Sequence, residues 1–167
     1  MYKILNEGQL LDILMEQKGG NEDKYFEMID HKTGILFKYP LRIGLLFTEK
    51  ADIFSLDNYS TNLSRAFQVH DDILGVFGDE STTGKPVDSD IREGKNTLLV
   101  IKTLELANEN QLKKVKAILG NRNAASEDIA EIKEIMKNCG ALDYCIEKES
   151  QFIKTAKESI DPNMKES

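Results

Sequence analysis

The sequence has little of what interrupts or cross-links a helical chain. Only three of its 167 residues are proline, and no segment alternates apolar and polar residues long enough to insist on a strand, so the expectation is an all-α protein. Two cysteines, Cys139 and Cys145, are too few for a disulfide framework and lie off the usual metal-ligand spacings. They read as reduced thiols and carry no argument for a catalytic cysteine. The longest strictly apolar run, Leu98 to Ile101, is far short of a membrane span, and the opening MYKILNEGQL has no signal-peptide pattern, which points to a soluble, cytoplasmic protein. Positive charge is also scarce. With 22 basic against 29 acidic residues and a net charge of −7, neither nucleic acid nor an anionic membrane is the expected partner. There is no internal repeat or low-complexity tract, and the length suits one domain with one core.

What is present is a succession of helices. Residues 2–17 read as the first, with Ile4, Leu5, Leu11, Leu14 and Met15 on its apolar side and Gln9, Asp12 and Glu16 on a polar stripe. A second begins near Asn21 or Glu22 and runs to Phe37, where Pro40 is expected to kink or interrupt it. An apolar segment over 41–48 precedes a long helix from Asp52 to Phe77. Further helices are expected over Lys95–Ala107, Leu112–Leu119 and 141–160, with another between them that Ser126 would cap and Gly140 would end.

The chain is organised around FQVHDDILGVFGDESTTGKPVDSDIREGKNT, residues 67–97. Placed on a helical wheel with Gln68 at zero, Asp71 falls at about 300°, Gly75 at about 340° and Asp72 at about 40°. One amide and two carboxylates therefore share a narrow arc centred on a glycine. The apolar residues, Phe67, Val69, Ile73 and Val76 among them, fill the arc from about 80° to about 260°. His70 falls within that apolar arc and reads as a packed core histidine, and His31 reads as a partly exposed helix residue; neither is assigned to chemistry.

Adjacent carboxylates repel, so a helix that gathers them beside an amide suits a hard divalent cation. Magnesium takes oxygen ligands and commonly binds through one or two carboxylates plus substrate phosphates. The following loop offers the phosphate side: it is punctuated by Gly84, Pro86 and Gly94, and Lys85 and Lys95 bring ammonium groups. An Asp-Asp pair alone is a common feature of solvated helices, and a Gly-Lys in a loop is a weak signal. Metal on one wall and lysines on the other point to a diphosphate between them.

Taken together, Phe67, Gln68, Asp71, Asp72, Gly78, Asp79, Gly84, Lys85, Asp90, Gly94, Lys95 and Thr97 closely resemble the second aspartate-rich region of the trans-type isoprenyl diphosphate synthases, the farnesyl and geranylgeranyl diphosphate synthase group. The Gly8-Gln9-Leu10-Leu11-Asp12 segment resembles that family's GQ..D helix, and Lys32-Thr33 its KT motif, in the order the family has them. One position departs: Gly75 stands where the commonest form of the motif has a third aspartate. It resembles a variant of some bacterial members and leaves the metal to Asp71, with Asp72 beside it.

The resemblance implies an antiparallel helical bundle corresponding to the C-terminal half of the isoprenoid synthase fold. It also implies a magnesium-dependent prenyltransferase that condenses an allylic diphosphate with isopentenyl diphosphate. Asp71, Asp72 and Lys85 would be the catalytic residues, Asp71 and Asp72 the metal ligands, and Lys32, Thr33, Gln68, Lys85 and Lys95 the diphosphate contacts. The first aspartate-rich motif has no counterpart here. A truncated chain with little or no activity by itself is therefore expected, as a homo-oligomer or as a heteromer with a chain that supplies the missing half. A non-catalytic partner subunit of a full-length synthase is the alternative, and an unrelated helical enzyme that hydrolyses phosphates with magnesium is a third.

Overall fold

A computed structural model describes residues 1–47, 52–79 and 87–160, and every regular element among them is helical. α1 spans Tyr2–Lys18 and α2 Glu22–Ile29. A single π-helical stretch, Asp30–Gly34, joins α2 to α3, Ile35–Leu45. The long α4 runs Ile53–Phe77, followed by a short α5 at Ser89–Glu93, α6 at Leu98–Leu106, α7 at Glu109–Ile118, α8 at Ser126–Asn138 and α9 at Ala141–Ser159.

Local chemistry sets most of these boundaries. The Asn21 side chain accepts from Lys24 N at 3.0 Å, and Asp52 accepts from Phe54 N at 3.0 Å and Ser55 N at 3.2 Å, each satisfying amides that a helix start leaves open. Thr97 caps α6 through Val100 N at 3.3 Å, so that helix starts at Leu98 rather than Lys95. Asn108 and Gln111 form a reciprocal capping box that starts α7 three residues ahead of Leu112. Ser126 is the first residue of α8 instead of its cap; Asp128 reaches back to Ala125 N at 3.2 Å. Pro40 does not interrupt α3. It is exposed, as is Leu36, so the carbonyl that loses its helical donor sits on the solvent side.

α9 lies antiparallel along α4: Cys145 is beside Asp72, His70 meets Glu149, and Arg65 lies over the Phe152 ring. The core between them and α6 is built of Tyr25, Ile29, Val69, Val76, Ile91, Leu98, Leu99, Ile132 and Met136, each 2% exposed or less. The buried side of α4 differs from the expected one. Ser60, Ser64, Ala66, Val69, Asp72 and Val76 face inward, while Phe67 is 53% exposed. The polar arc is thus turned into the protein, because α2, the π-helical stretch and α9 pack on that side. His70 is accordingly no core histidine: its side chain is 55% exposed, with Nδ1 3.0 Å from Glu149 Oε1.

Glu22 ties three helices together. Its carboxylate lies 2.6 Å from Lys102 Nζ on α6, 3.1 Å from Lys148 Nζ on α9, and accepts the Tyr144 hydroxyl at 2.8 Å. Burial alone would raise its pKa, but Lys102, Tyr144 and Lys148 outweigh burial and hold it at about 2. A carboxyl lowered from its ordinary 4.5 to about 2 adds stability that is present above its ordinary pKa and is lost as pH falls toward 2. Glu22→Gln should therefore cost about 2 kcal/mol at pH 7, after discounting for solvent screening. The deficit should shrink toward zero as pH falls below 4, read by urea denaturation of both proteins across pH.

Candidate functional site

The polar arc of α4 opens onto a cavity of about 440 Å³ bounded by α1, α2, the π-helical stretch, α4, α5 and the turn before α6. Its lining includes Asp12, Tyr25, Lys32, Gln68, Asp71, Asp72, Gly75, Asp90 and Lys95. Five of the seven residues expected from sequence (Lys32, Gln68, Asp71, Asp72 and Lys95) are on its wall. Thr33 is not on the wall but reaches it through Gln68, donating from Oγ1 to Oε1 at 3.1 Å. Lys85, with Gly84 and Pro86, lies outside the described residues.

The π-helical stretch explains how Lys32 arrives. A π turn admits one extra residue and re-aims the side chains around it, and such turns recur at functional sites. It also lets α1 approach closely: a Cβ at Gly8 would lie 2.6 Å from Lys32 N and 2.8 Å from His31 C. That approach brings Asp12 Oδ2 to 2.6 Å from Lys32 Nζ. At the end of α5, Gly94 has a left-handed φ of 71°, so the chain turns back and Lys95 Nζ reaches Asp90 Oδ1 at 2.6 Å. The Asn96 side chain pins that turn to the end of α1, donating to Met15 O at 2.7 Å.

The two aspartates have different surroundings. Asp72 is 6% exposed and is held on both oxygens: the Tyr25 hydroxyl donates to Oδ2 at 2.6 Å and Gln68 Nε2 donates to Oδ1 at 3.0 Å. Burial pushes its carboxyl up to about 7; the two hydrogen bonds work against the rise, and Asp90 and Asp71 add to it. Burial and the Asp72 charge also raise Tyr25 well above an ordinary tyrosine, so Tyr25 stays a donor. Asp71 is only partly buried and is the more open carboxylate of the pair. Lys95 keeps its proton: burial opposes the charge, but Asp90 and then Glu93 hold its pKa above the ordinary value.

No group of three or more His, Cys, Asp or Glu side chains among the described residues is arranged to hold an ion. The donors nonetheless fit magnesium, which needs only one or two protein carboxylates when phosphate oxygens and water complete its shell. They are all hard oxygens, and Gly75 leaves a cradle beside them that a Cβ would fill, 2.7 Å from Asp90 Oδ2.

Sequence reasoning missed Tyr25 and the π turn, since neither a lone tyrosine in an amphipathic helix nor DHKTG carries a periodic signal. Asp90 was in the motif without a role. Between about pH 4 and about 7, folded Asp72 holds a proton that the unfolded chain has released, so its contribution falls as pH rises through that window. Asp72→Asn should remove this loss and stabilise the protein by about 1–3 kcal/mol at pH 8, with little difference from the parent below pH 4, measured by denaturation at each pH.

Comparison with known proteins agrees with this architecture. A model of the polyprenyl synthetase family matches residues 1–136. The geranylgeranyl diphosphate synthase of Sulfolobus acidocaldarius is 42% identical over 160 residues, which is 94% of this chain and 48% of that protein. The short chain isoprenyl diphosphate synthase of Methanocaldococcus jannaschii is 38% identical over 133 residues, covering 78% of this chain and 41% of its own. Geranylgeranyl pyrophosphate synthase from Corynebacterium glutamicum, solved with isoprenyl diphosphate and magnesium, superposes with a TM-score of 0.87 at 32% identity over 96% of this chain and 48% of that one. The chain spans about half the length of the curated relatives it matches. With the family pattern running through most of the sequence and the all-helical fold shared with solved members, the chain belongs to the polyprenyl synthetase family, prenyltransferases of isoprenoid biosynthesis.

Proposed function

We propose that this chain forms the diphosphate-holding wall of a magnesium-dependent isoprenyl diphosphate synthase, which joins an allylic diphosphate to isopentenyl diphosphate and releases inorganic diphosphate. The observation that carries the reading is that Asp71, Asp72, Lys32, Gln68 and Lys95 line one cavity. Asp71 would be the magnesium ligand. Asp72, held by Tyr25 and Gln68, would support it. Lys32 and Lys95 would contact the diphosphate, with Thr33 acting through Gln68 and Lys85 contributing from the loop.

When bound, magnesium supplies Lewis-acid stabilisation of the charge that develops on the departing diphosphate. The protein's own part is electrostatic preorganisation. Lys32 and Lys95 line the same cavity and would bring two ammonium groups to the same anion, each charged hydrogen bond contributing roughly 1.5–3 kcal/mol. Gln68, accepting from Thr33 and donating to Asp72, fixes the orientation of the Asp72 carboxylate. Met28, Ile29 and Leu74 supply apolar lining, which lowers the local dielectric and strengthens these interactions.

Further helices would complete the wall around the cavity. Leu10, Ile13 and Leu14 on α1, Leu36 and Ile43 on α3, and Phe54 and Phe67 on α4 are exposed, and apolar surface of this kind can serve as a contact face. This supports association with a second copy or with a helical chain that completes the bundle, and it equally suits a non-catalytic subunit of a larger synthase.

Calorimetry of inorganic diphosphate with and without magnesium tests the site. Magnesium-dependent binding is expected, with Asp71→Ala weakening it by about tenfold or more, the scale of one charged contact; equal binding by the variant would contradict the reading. Sedimentation velocity should show a species heavier than one chain, and a compact monomer at every concentration would contradict the association.

A further inference from the structure

In this cavity each of the two described ammonium groups already has a carboxylate: Lys32 with Asp12 and Lys95 with Asp90, both at 2.6 Å. The Asp90 pair is built into the backbone. Lys95 N donates to Asp90 O at 3.0 Å, and Asp88 N donates to Gly75 O at 3.1 Å, docking the start of α5 on α4 at its glycine. The Asp90 side chain is only 12% exposed, and its second oxygen fills the space where a Cβ at position 75 would sit, 2.7 Å away. Position 75 lacks a side chain, and a carboxylate from another helix stands in its place.

We propose that Asp90 couples the cation and the anion at this site: it holds Lys95 until a metal-bound diphosphate arrives, then serves the cation while Lys95 turns to the phosphate. The inference rests on the diphosphate reading above. Its physical basis is charge balance. A metal-free diphosphate could draw Lys95 away only by leaving the Asp90 carboxylate buried near Asp72 and beside the incoming anion, an arrangement of like charges at low dielectric. A diphosphate that brings its own cation replaces the ammonium that Asp90 gives up. Neither partner alone satisfies the cavity, so magnesium and diphosphate bind as a unit. The Asp12–Lys32 pair repeats the arrangement, but there the glycine, Gly8, is cleared for the backbone of Lys32, whereas Gly75 is cleared for the Asp90 carboxylate itself.

The test is calorimetry of inorganic diphosphate on the full chain, with excess magnesium and with a chelator, for the parent and Asp90→Asn. The asparagine releases Lys95 and removes the buried charge. Metal-free diphosphate should then bind tighter and the magnesium complex no tighter, so the ratio of the two affinities should fall about tenfold or more. Gly75→Ala, which pushes Asp90 aside without removing it, should lower the ratio in the same direction and reads the same quantity if Asp90→Asn does not fold. An unchanged ratio overturns the proposal, as does equal weakening of both affinities, the mark of a merely structural residue. If the parent binds no diphosphate even with magnesium, the reading of the site fails first and the coupling falls with it.

Discussion

A carboxylate inside a helical bundle has to be satisfied, and the way Asp72 is satisfied organises the site. Its two oxygens take hydrogen bonds from Tyr25 on α2 and Gln68 one turn earlier on α4, and Gln68 in turn accepts from Thr33 in the π-helical stretch. Three elements, α2, the π-helical stretch and α4, are thereby locked in one register by a single buried group. Burial that raises its pKa to about 7 is a standing cost to the fold, tolerated because the same packing leaves Asp71 partly open beside it. Perturbed carboxylates of this kind are common where titratable groups gather in a cleft.

The second constraint is electrostatic. An acidic protein with net charge −7 offers anions little general attraction, so a diphosphate must be recognised by local arrangement. The cavity would do this with the ammonium groups held by Asp12 and Asp90. Each cation is kept in place by its carboxylate, without creating a positive surface that would attract other polyanions. Shape serves the same end: Gly8 and Gly75 are the points where α1 meets the π stretch and where α5 meets α4, and each close approach brings one ion pair to the cavity.

How much of this was legible depended on whether a residue's role was local. The all-α class and several helix ends followed from caps and breakers: Asp52 starts α4, Gly19 ends α1, and Gly140 follows directly on the end of α8. Asp71, Asp72, Lys32 and Lys95 were legible through motif order. The inward turn of the polar arc was not, because a wheel shows which residues share a face but not which face is covered. Phe67 and His70 were assigned to the core on that ground and are exposed. The π turn, the Tyr25 hydroxyl and the Asp90–Lys95 pair arise from contacts between elements distant in sequence, which periodicity does not encode.

The central claim is that one cavity grips a metal-bound diphosphate between the α4 carboxylates and the ammonium groups of Lys32 and Lys95. A crystal structure grown with magnesium and inorganic diphosphate measures it most directly. The account expects the cation on Asp71 and diphosphate oxygens within hydrogen-bond distance of Lys32 Nζ and Lys95 Nζ. Diphosphate bound elsewhere on the protein, with Lys95 still on Asp90 and nothing in the cavity, would contradict it.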